Sequence, residues 1–136
     1  MADAIANTPP GAELLGREWL GLDETGEIGL VRFEAKGAFT NRHGTIQGGF
    51  LAAMLDSATG LRALAALPAH QTAMTRSLNT RFLKPASVGT ITARARVVEH
   101  TDRNIVVQAE LVDAQGTTVA DATAQLRIVE KRTEPR

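Results

Sequence analysis

The sequence predicts an α+β fold in which a strongly curved antiparallel sheet of five to six strands wraps around one long apolar helix. Three observations predict it. Gly48–Leu67 is apolar on nearly every side at helical spacing. The segments after it alternate apolar and polar residues, the period of a half-buried strand. The last of them carries a row of alanines on its apolar face, small enough to admit a bulky element. The 136 residues suit a single domain over residues 1–136 and can build a core without staples.

Thr8-Pro9 opens a short helix through Leu15, and Gly16 stops it. Glu18–Asp23 and Glu27–Glu34 are extended runs around Glu24-Thr25-Gly26, the pattern of a hairpin. Gly48–Leu67 reads GGFLAAMLDSATGLRALAAL. Phe50, Leu51, Met54, Leu55, Ala58, Leu61 and Leu64 cover most of its circumference, which predicts a buried helix that ends at Pro68. Thr72–Leu83, Gly89–His100, Asn104–Asp113 and Thr117–Glu130 follow as four successive strands, most simply an antiparallel meander. In the first of these, Met74, Leu78 and Phe82 define the apolar face. One such layer leaves sheet edges and part of the helix uncovered. A homodimer joined edge to edge is therefore expected, with a dimer of dimers as a further step. Residues 1–10, small and Pro-bearing, and residues 131–136, a charge run, are expected to be flexible.

Fifteen basic residues balance fifteen acidic ones, so the basic excess of a nucleic-acid or membrane-surface binder is missing. Four Phe and one Trp are too few for base-stacking platforms. The absence of cysteine removes disulfides, thiolate metal sites and cysteine nucleophiles, and it fits a reducing, cytoplasmic setting. Met1–Gly11 lacks the charged and apolar regions of a secretory signal. A bilayer span over Gly48–Leu67 would bury Asp56 and Arg62. His43, His70 and His100 lie 27 and 30 residues apart, which is no metal-ligand spacing, so no metal site is expected. There is no Gly-x-Ser-x-Gly elbow and no Walker loop.

Asp56 is the one ionisable group between Gly48 and Leu61, and its helical neighbours are Ala52, Ala53, Thr59 and Gly60. Two readings stand. A carboxylate sheltered among apolar groups suits a general base. Alternatively, Asp56 lies on an exposed stripe or pairs with Arg62. The segment before the helix, Asn41-Arg42-His43-Gly44-Thr45-Ile46-Gln47-Gly48-Gly49, is a polar, glycine-rich loop. A helix start presents unsatisfied N–H groups and a positive dipole end, and glycines leave them unscreened, so they can hold a developing oxyanion. The plainer alternative is that the glycines only serve a turn. Gly48 and Asp56 are separated by about 12 Å of helix rise. An Asp56 from a neighbouring subunit could reach the Gly48 nest, whereas the chain's own could not.

Asn41, Gly44, Gln47-Gly48-Gly49, Leu55-Asp56 and Gly60 resemble the signature of the hot-dog-fold acyl-CoA thioesterases, nearest to the phenylacetate-pathway branch. The usual form is an Asn, His-Gly-Gly six residues on, and Asp nine residues after the His. Asn41, Gln47 and Asp56 stand at those spacings. Downstream, Asn79-Thr80-Arg81-Phe82-Leu83-Lys84-Pro85-Ala86 resembles the family's strand ending in a Pro-Ala turn, and the likeness runs from about residue 18 to residue 130.

The resemblance implies hydrolysis of an acyl-CoA thioester to carboxylate and CoA with no metal or redox cofactor. It implies that the Gly48 N–H, with the Asn41 amide, polarises the carbonyl. Asp56 of the facing subunit activates water or attacks directly. Thr75 orients the water, and Gln47 lies near the thiolate. His43, Gly49 and Phe50 are the candidate substrate-binding residues. Gln47 replaces the usual His and cannot act as an acid, but a thiolate (thiol pKa about 8.5) leaves readily. Thr75 shares strand parity with Ser77 and Asn79, so it reaches the site only through a bulge or a strong twist near Arg76. The candidate phosphate ligands for CoA are Arg76, Arg81, Lys84, Arg94, Arg96 and Arg103. Two rival functions fit the same fold: a non-catalytic acyl-CoA binder or sensor, and an enoyl-CoA hydratase or dehydratase. The latter would favour an Asp/His pair where this chain has Gln47. The acyl group stays open between phenylacetyl-type and short-to-medium aliphatic chains.

Overall fold

The structure, a computed structural model, describes residues 8–132, so residues 1–7 and 133–136 of the predicted flexible ends lie outside the described residues. Helix α1 is Pro10–Leu14, with Pro9 rather than Thr8 at its N-cap and Pro10 at the first helical position, where a missing N–H costs nothing. Gly16 follows at φ +63°, the left-handed conformation that ends the turn. The inner part of each predicted flexible end is therefore held. Pro10 is helical, and the Lys131 N–H donates to the His70 carbonyl at 2.9 Å.

Strands β1 (Glu18–Leu22) and β2 (Ile28–Ala35) form the predicted hairpin. Asp23 organises its turn: Oδ1 accepts from the Thr25 hydroxyl at 2.6 Å, the Thr25 N–H at 3.2 Å and the Ile28 N–H at 3.3 Å. The Thr25 hydroxyl, with these amides, holds the Asp23 carboxyl below its ordinary pKa. A short 3-10 turn at Gly37–Phe39 precedes the long helix α2 (Gly48–Ala65). Strands β3 (Gln71–Phe82), β4 (Gly89–His100), β5 (Asn104–Val112) and β6 (Thr118–Glu130) complete a six-stranded antiparallel sheet.

The strand order is β1-β2-β4-β5-β6-β3, which corrects the four-strand meander. β4, β5 and β6 do form one, but β3 lies at the far edge against β6, and β4 pairs with β2. The link between β3 and β4 carries Pro85, which suits a crossing better than a tight hairpin. It passes the start of α2, where the Ala86 carbonyl accepts from the Ile46 N–H at 2.8 Å.

Leu51, Met54, Leu55, Ala58 and Leu61 of α2 are buried against the sheet. Ala93 and Ala95 on β4 and Ala120, Ala122 and Ala124 on β6 are buried beneath them, the small surface that lets a helix lie close. The helix is not covered all round. Gly49, Ala53 and Asp56 are exposed, at offsets of four and three residues that place them on one stripe. Thr59, buried, donates its hydroxyl to the Leu55 carbonyl at 2.9 Å. Arg62 is also buried, and its Nε donates to the Glu27 carbonyl at 3.1 Å on the hairpin side. Burial lowers its pKa. A Cβ on Gly29 would stand 2.9 Å from Arg62 Cδ and 3.0 Å from Trp19 Cη2, so β2 needs glycine there. No helix among the described residues is long and apolar enough to cross a membrane.

Candidate active site

The loop before α2 is knitted by Asn41. Its Oδ1 accepts from the His43 N–H at 2.9 Å and the Thr45 N–H at 3.3 Å, and its Nδ2 donates to Thr45 Oγ1 at 3.0 Å. The main chain adds Asn41 N–H to the Thr45 carbonyl at 2.8 Å and Gln47 N–H to the Phe39 carbonyl at 2.9 Å. These bonds deliver the chain into α2 at a defined angle. Gln47 is the N-cap residue, extended at φ −61° and ψ 138°, and its side chain makes no cap bond. Its carbonyl accepts from the N–H groups of Phe50 and Leu51. The N–H groups of Gly48 and Gly49 have no acceptor inside the helix, and among the described residues none outside it takes them. Two adjacent donors at a positive helix end, with no side chain in front, form a place for an anionic oxygen.

Asp56 lies two turns along. Its carboxylate is not buried within one chain, in contrast to the sheltered setting read from the helix sequence, and Arg62 points away from it to Glu27. Its partner is Thr75 on β3, whose hydroxyl donates to Asp56 Oδ1 at 2.9 Å. Of the bulge or twist expected near Arg76, a bulge is present. Thr75 pairs with Leu126 and Ser77 with Gln125, leaving Arg76 out of the ladder. The bulge shifts strand parity, so Thr75 faces the helix together with Leu78 and Phe82. Met74, predicted to share the Leu78 face, lies on the other side and is 61% exposed. Next to Asp56, the Ser57 hydroxyl accepts from Arg17 Nη1 at 3.0 Å.

The structure brings Asp56 and Thr75 together, and separately Asn41, Gln47, Gly48 and Gly49. It does not bring all the candidates to one point within a single chain. The Asn41 amide, expected at the carbonyl, is engaged inside the loop. His43 is exposed on the loop surface. Phe50 is a packing residue, stacked on Phe39 with ring centroids 4.3 Å apart and planes 9° apart. Of the candidate phosphate ligands, Arg81 is held by Asp121 through bonds of 2.9 and 2.6 Å, Arg94 stands 3.6 Å from Glu110, and Arg96 donates to Gln108 at 3.2 Å. These three share the outer sheet face. No group of three or more His, Cys, Asp or Glu is set to hold a metal among the described residues.

Phe82 went unnoticed in the sequence, where it reads as one more core residue. Its ring leans on Gly48: a Cβ there would lie 3.2 Å from Phe82 Cζ. Beside it opens a cavity of about 330 Å³ that reaches Gly48.

Residues 43–120 match the family described as the thioesterase superfamily. A Saccharolobus solfataricus protein named as an esterase is 30% identical over 105 residues, covering 77% of this chain and 74% of the relative. Among solved structures, a phenylacetic acid degradation-related protein from Ralstonia eutropha JMP134 superposes with a TM-score of 0.84 at 34% identity, covering 90% of this chain and 92% of that one. The E. coli PaaI protein of the phenylacetic acid degradation operon gives 0.83 at 25% identity, covering 94% and 90%. A Bacillus halodurans protein solved with CoA gives 0.71 at 31% identity, covering 74% and 66%. The architecture shared with these neighbours, a sheet wrapped around one long helix, is the hot-dog fold.

Proposed function

The chain belongs to the thioesterase superfamily and is a thioester hydrolase, and from that premise we propose that it hydrolyses an acyl-CoA thioester to carboxylate and free CoA at a site formed between two copies of the chain. The observation that carries this reading is that one exposed helix stripe starts at two unpaired N–H groups and continues to a carboxylate held by a threonine. About 12 Å of helix separates the two functions in one chain. Two copies of α2 lying side by side in opposite directions bring each Asp56 to the other's Gly48. The small residues along the stripe, Gly49, Ala53 and Gly60, permit that approach, and β3 offers a free sheet edge for the join. Burial of Asp56 then comes from the partner.

In this reading the thioester carbonyl accepts from the Gly48 N–H, which strengthens as negative charge grows on oxygen. Thr75 occupies Oδ1 of Asp56 and leaves the second oxygen to take a proton from water. Water attacks, the tetrahedral intermediate collapses, and the thiolate departs with the Gln47 amide able to donate to sulfur. Direct attack by Asp56 is the covalent variant of the same geometry. Asn41 contributes by holding the loop that aims Gly48. No group beyond the substrate's own CoA is required. The CoA-bound B. halodurans neighbour supports the choice of thioester, and the lack of cysteine suits action in the cytoplasm.

A panel of acyl-CoA esters assayed with a thiol reagent tests the proposal. Asp56→Asn and Asp56→Ala should each lose at least about 100-fold in kcat with unchanged melting temperature. Full activity in both variants sinks the mechanism. Tight ester binding without turnover by the native protein would turn the reading into that of a binder.

A further inference from the structure

We infer that the β3 edges of two chains join with Asn79 on the two-fold axis, which sets Thr75 of each chain opposite the partner's Phe82. This rests on the shared site proposed above and fixes how its halves meet. Within one chain, two contacts tie α2 to β3. Asp56 is level with Thr75, whose hydroxyl donates to it at 2.9 Å. Gly48 is level with Phe82, whose Cζ is 3.2 Å from where a Gly48 Cβ would be. A two-fold axis perpendicular to the sheet brings Asp56 to the partner's Gly48 only if it crosses β3 midway between Thr75 and Phe82. Arg76 stands out of the ladder. Ser77 and Leu78 therefore lie on one side of Asn79, Thr80 and Arg81 on the other, and Asn79 is the middle position. The neighbouring strand gives the same midpoint. On β6, Leu126 pairs with Thr75 and Ala120 with Phe82, and Thr123, halfway between them, pairs with Asn79.

Side-chain parity supports this axis. Leu78 and Thr80 share the face of their buried β6 partners Ala124 and Ala122, while Ser77, Asn79 and Arg81 lie on the outer face. Residues opposed across an antiparallel join share a face, so an axis between Leu78 and Asn79 would set an inner residue against an outer one. The axis must fall on a residue. With Asn79 there, Leu78 meets the partner's Thr80 on the inner face and Ser77 meets the partner's Arg81 on the outer face. The two Asn79 amides, each both donor and acceptor, face one another. The bulge thereby gains a second role. Were Arg76 in the ladder, Thr75 to Phe82 would span an even number of positions, and their midpoint would fall between residues. By leaving the ladder, Arg76 makes the count odd and lets a face-matched axis align the site. Moving the axis by one residue slides the partner by two, about 7 Å, and parts Asp56 from the partner's Gly48.

The chain has no cysteine, so a single introduced one reports the register. Full-length Asn79→Cys, Leu78→Cys and Thr80→Cys are oxidised separately, and dimer crosslinking is followed on non-reducing gels. Opposed Cα atoms about 4.5–5.5 Å apart suit a disulfide, and a two-residue offset does not. Asn79→Cys should therefore crosslink faster than either neighbour by about tenfold or more, and its crosslinked dimer should keep the turnover of the reduced one. Faster crosslinking at Leu78 or Thr80 overturns the inference. So does a monomer by light scattering, or a crosslinked Asn79→Cys dimer that regains activity only on reduction. Pulsed EPR on nitroxide-labelled Met74→Cys gives a second reading. With the axis on Asn79 the two Cα atoms of residue 74 stand about 27 Å apart, against about 20 Å for an axis on Leu78 and about 33 Å for one on Thr80. Should Asn79→Cys fail to fold in melting curves, that distance decides alone. If the native protein hydrolyses no ester, the functional reading falls and the crosslinks still decide the register. If esters are hydrolysed by a dimer in which Asn79→Cys stays uncrosslinked, the register falls and the hydrolase reading stands.

Discussion

Thr75 reaches Asp56 because one neighbouring residue, Arg76, stands out of the ladder. Alternation through Met74, Leu78 and Phe82 points to a regular strand with Thr75 outward, and nothing local in the sequence marks the bulge. The structure gives up the burial of Met74 and in return directs a hydroxyl at a carboxylate. A break in patterning that exposes an apolar side chain and orients a polar one is typical of a functional site. Thr75→Val keeps the shape and removes the donor. It should lower kcat by about tenfold with little change in melting temperature, and Thr75→Ser should recover most of the loss, both read in the thiol-release assay. Asp56 and the glycine pair could be picked out from the sequence because a lone charge and a double glycine stand out in an apolar helix. That Asn41's amide is taken up by the loop could not, because loop hydrogen bonds leave no periodic trace.

At the scale of elements, periodicity located the long helix and the four strands after it to within a few residues, since half-buried strands and a helix facing a sheet impose their spacing on the chain, while proline and glycine signals located the short helix and the hairpin. Strand order was less legible. β3 could have paired with β4, and what decides otherwise is a crossing past the loop before α2, a contact between segments distant in sequence. The start of α2 gives a direct element-scale prediction. Gly48 is the first helical residue, a position where proline is well tolerated, and Gln47 already has the extended backbone that a following proline demands. The proline Cβ would press on the Phe82 ring, 3.2 Å away, which is exposed and free to shift outward. Gly48→Pro should therefore keep the helix, remove the N–H and lower kcat by about 100- to 1,000-fold, as seen in single-turnover measurements alongside circular dichroism, with Gly48→Ala as the control that adds the Cβ and keeps the N–H. On the opposite side of the helix, Gly29→Ala would press on Trp19 and Arg62. It should destabilise the fold by about 1–3 kcal/mol in thermal melts and leave the substrate profile unchanged.

For the whole molecule, a single chain leaves uncovered the open stripe on α2 and the two sheet edges, β1 and β3, of which β3 is the one that carries Thr75 beside that stripe. The helix sequence is apolar on nearly every side, and one chain buries all but one stripe of it. Our account assigns that stripe to a second copy, so that each site takes its oxyanion donor from one chain and its base from the other. Hybrid dimers test this most directly. Asp56→Ala and Gly48→Pro chains carrying different affinity tags are co-expressed, hybrids are isolated by tandem purification, and thioester turnover is measured. Each hybrid retains one intact pairing of a native Gly48 with a native Asp56, so it should recover about half of the native activity per dimer although both parents are nearly inactive. Hybrids as inactive as their parents would contradict a shared site and place the whole chemistry within one chain.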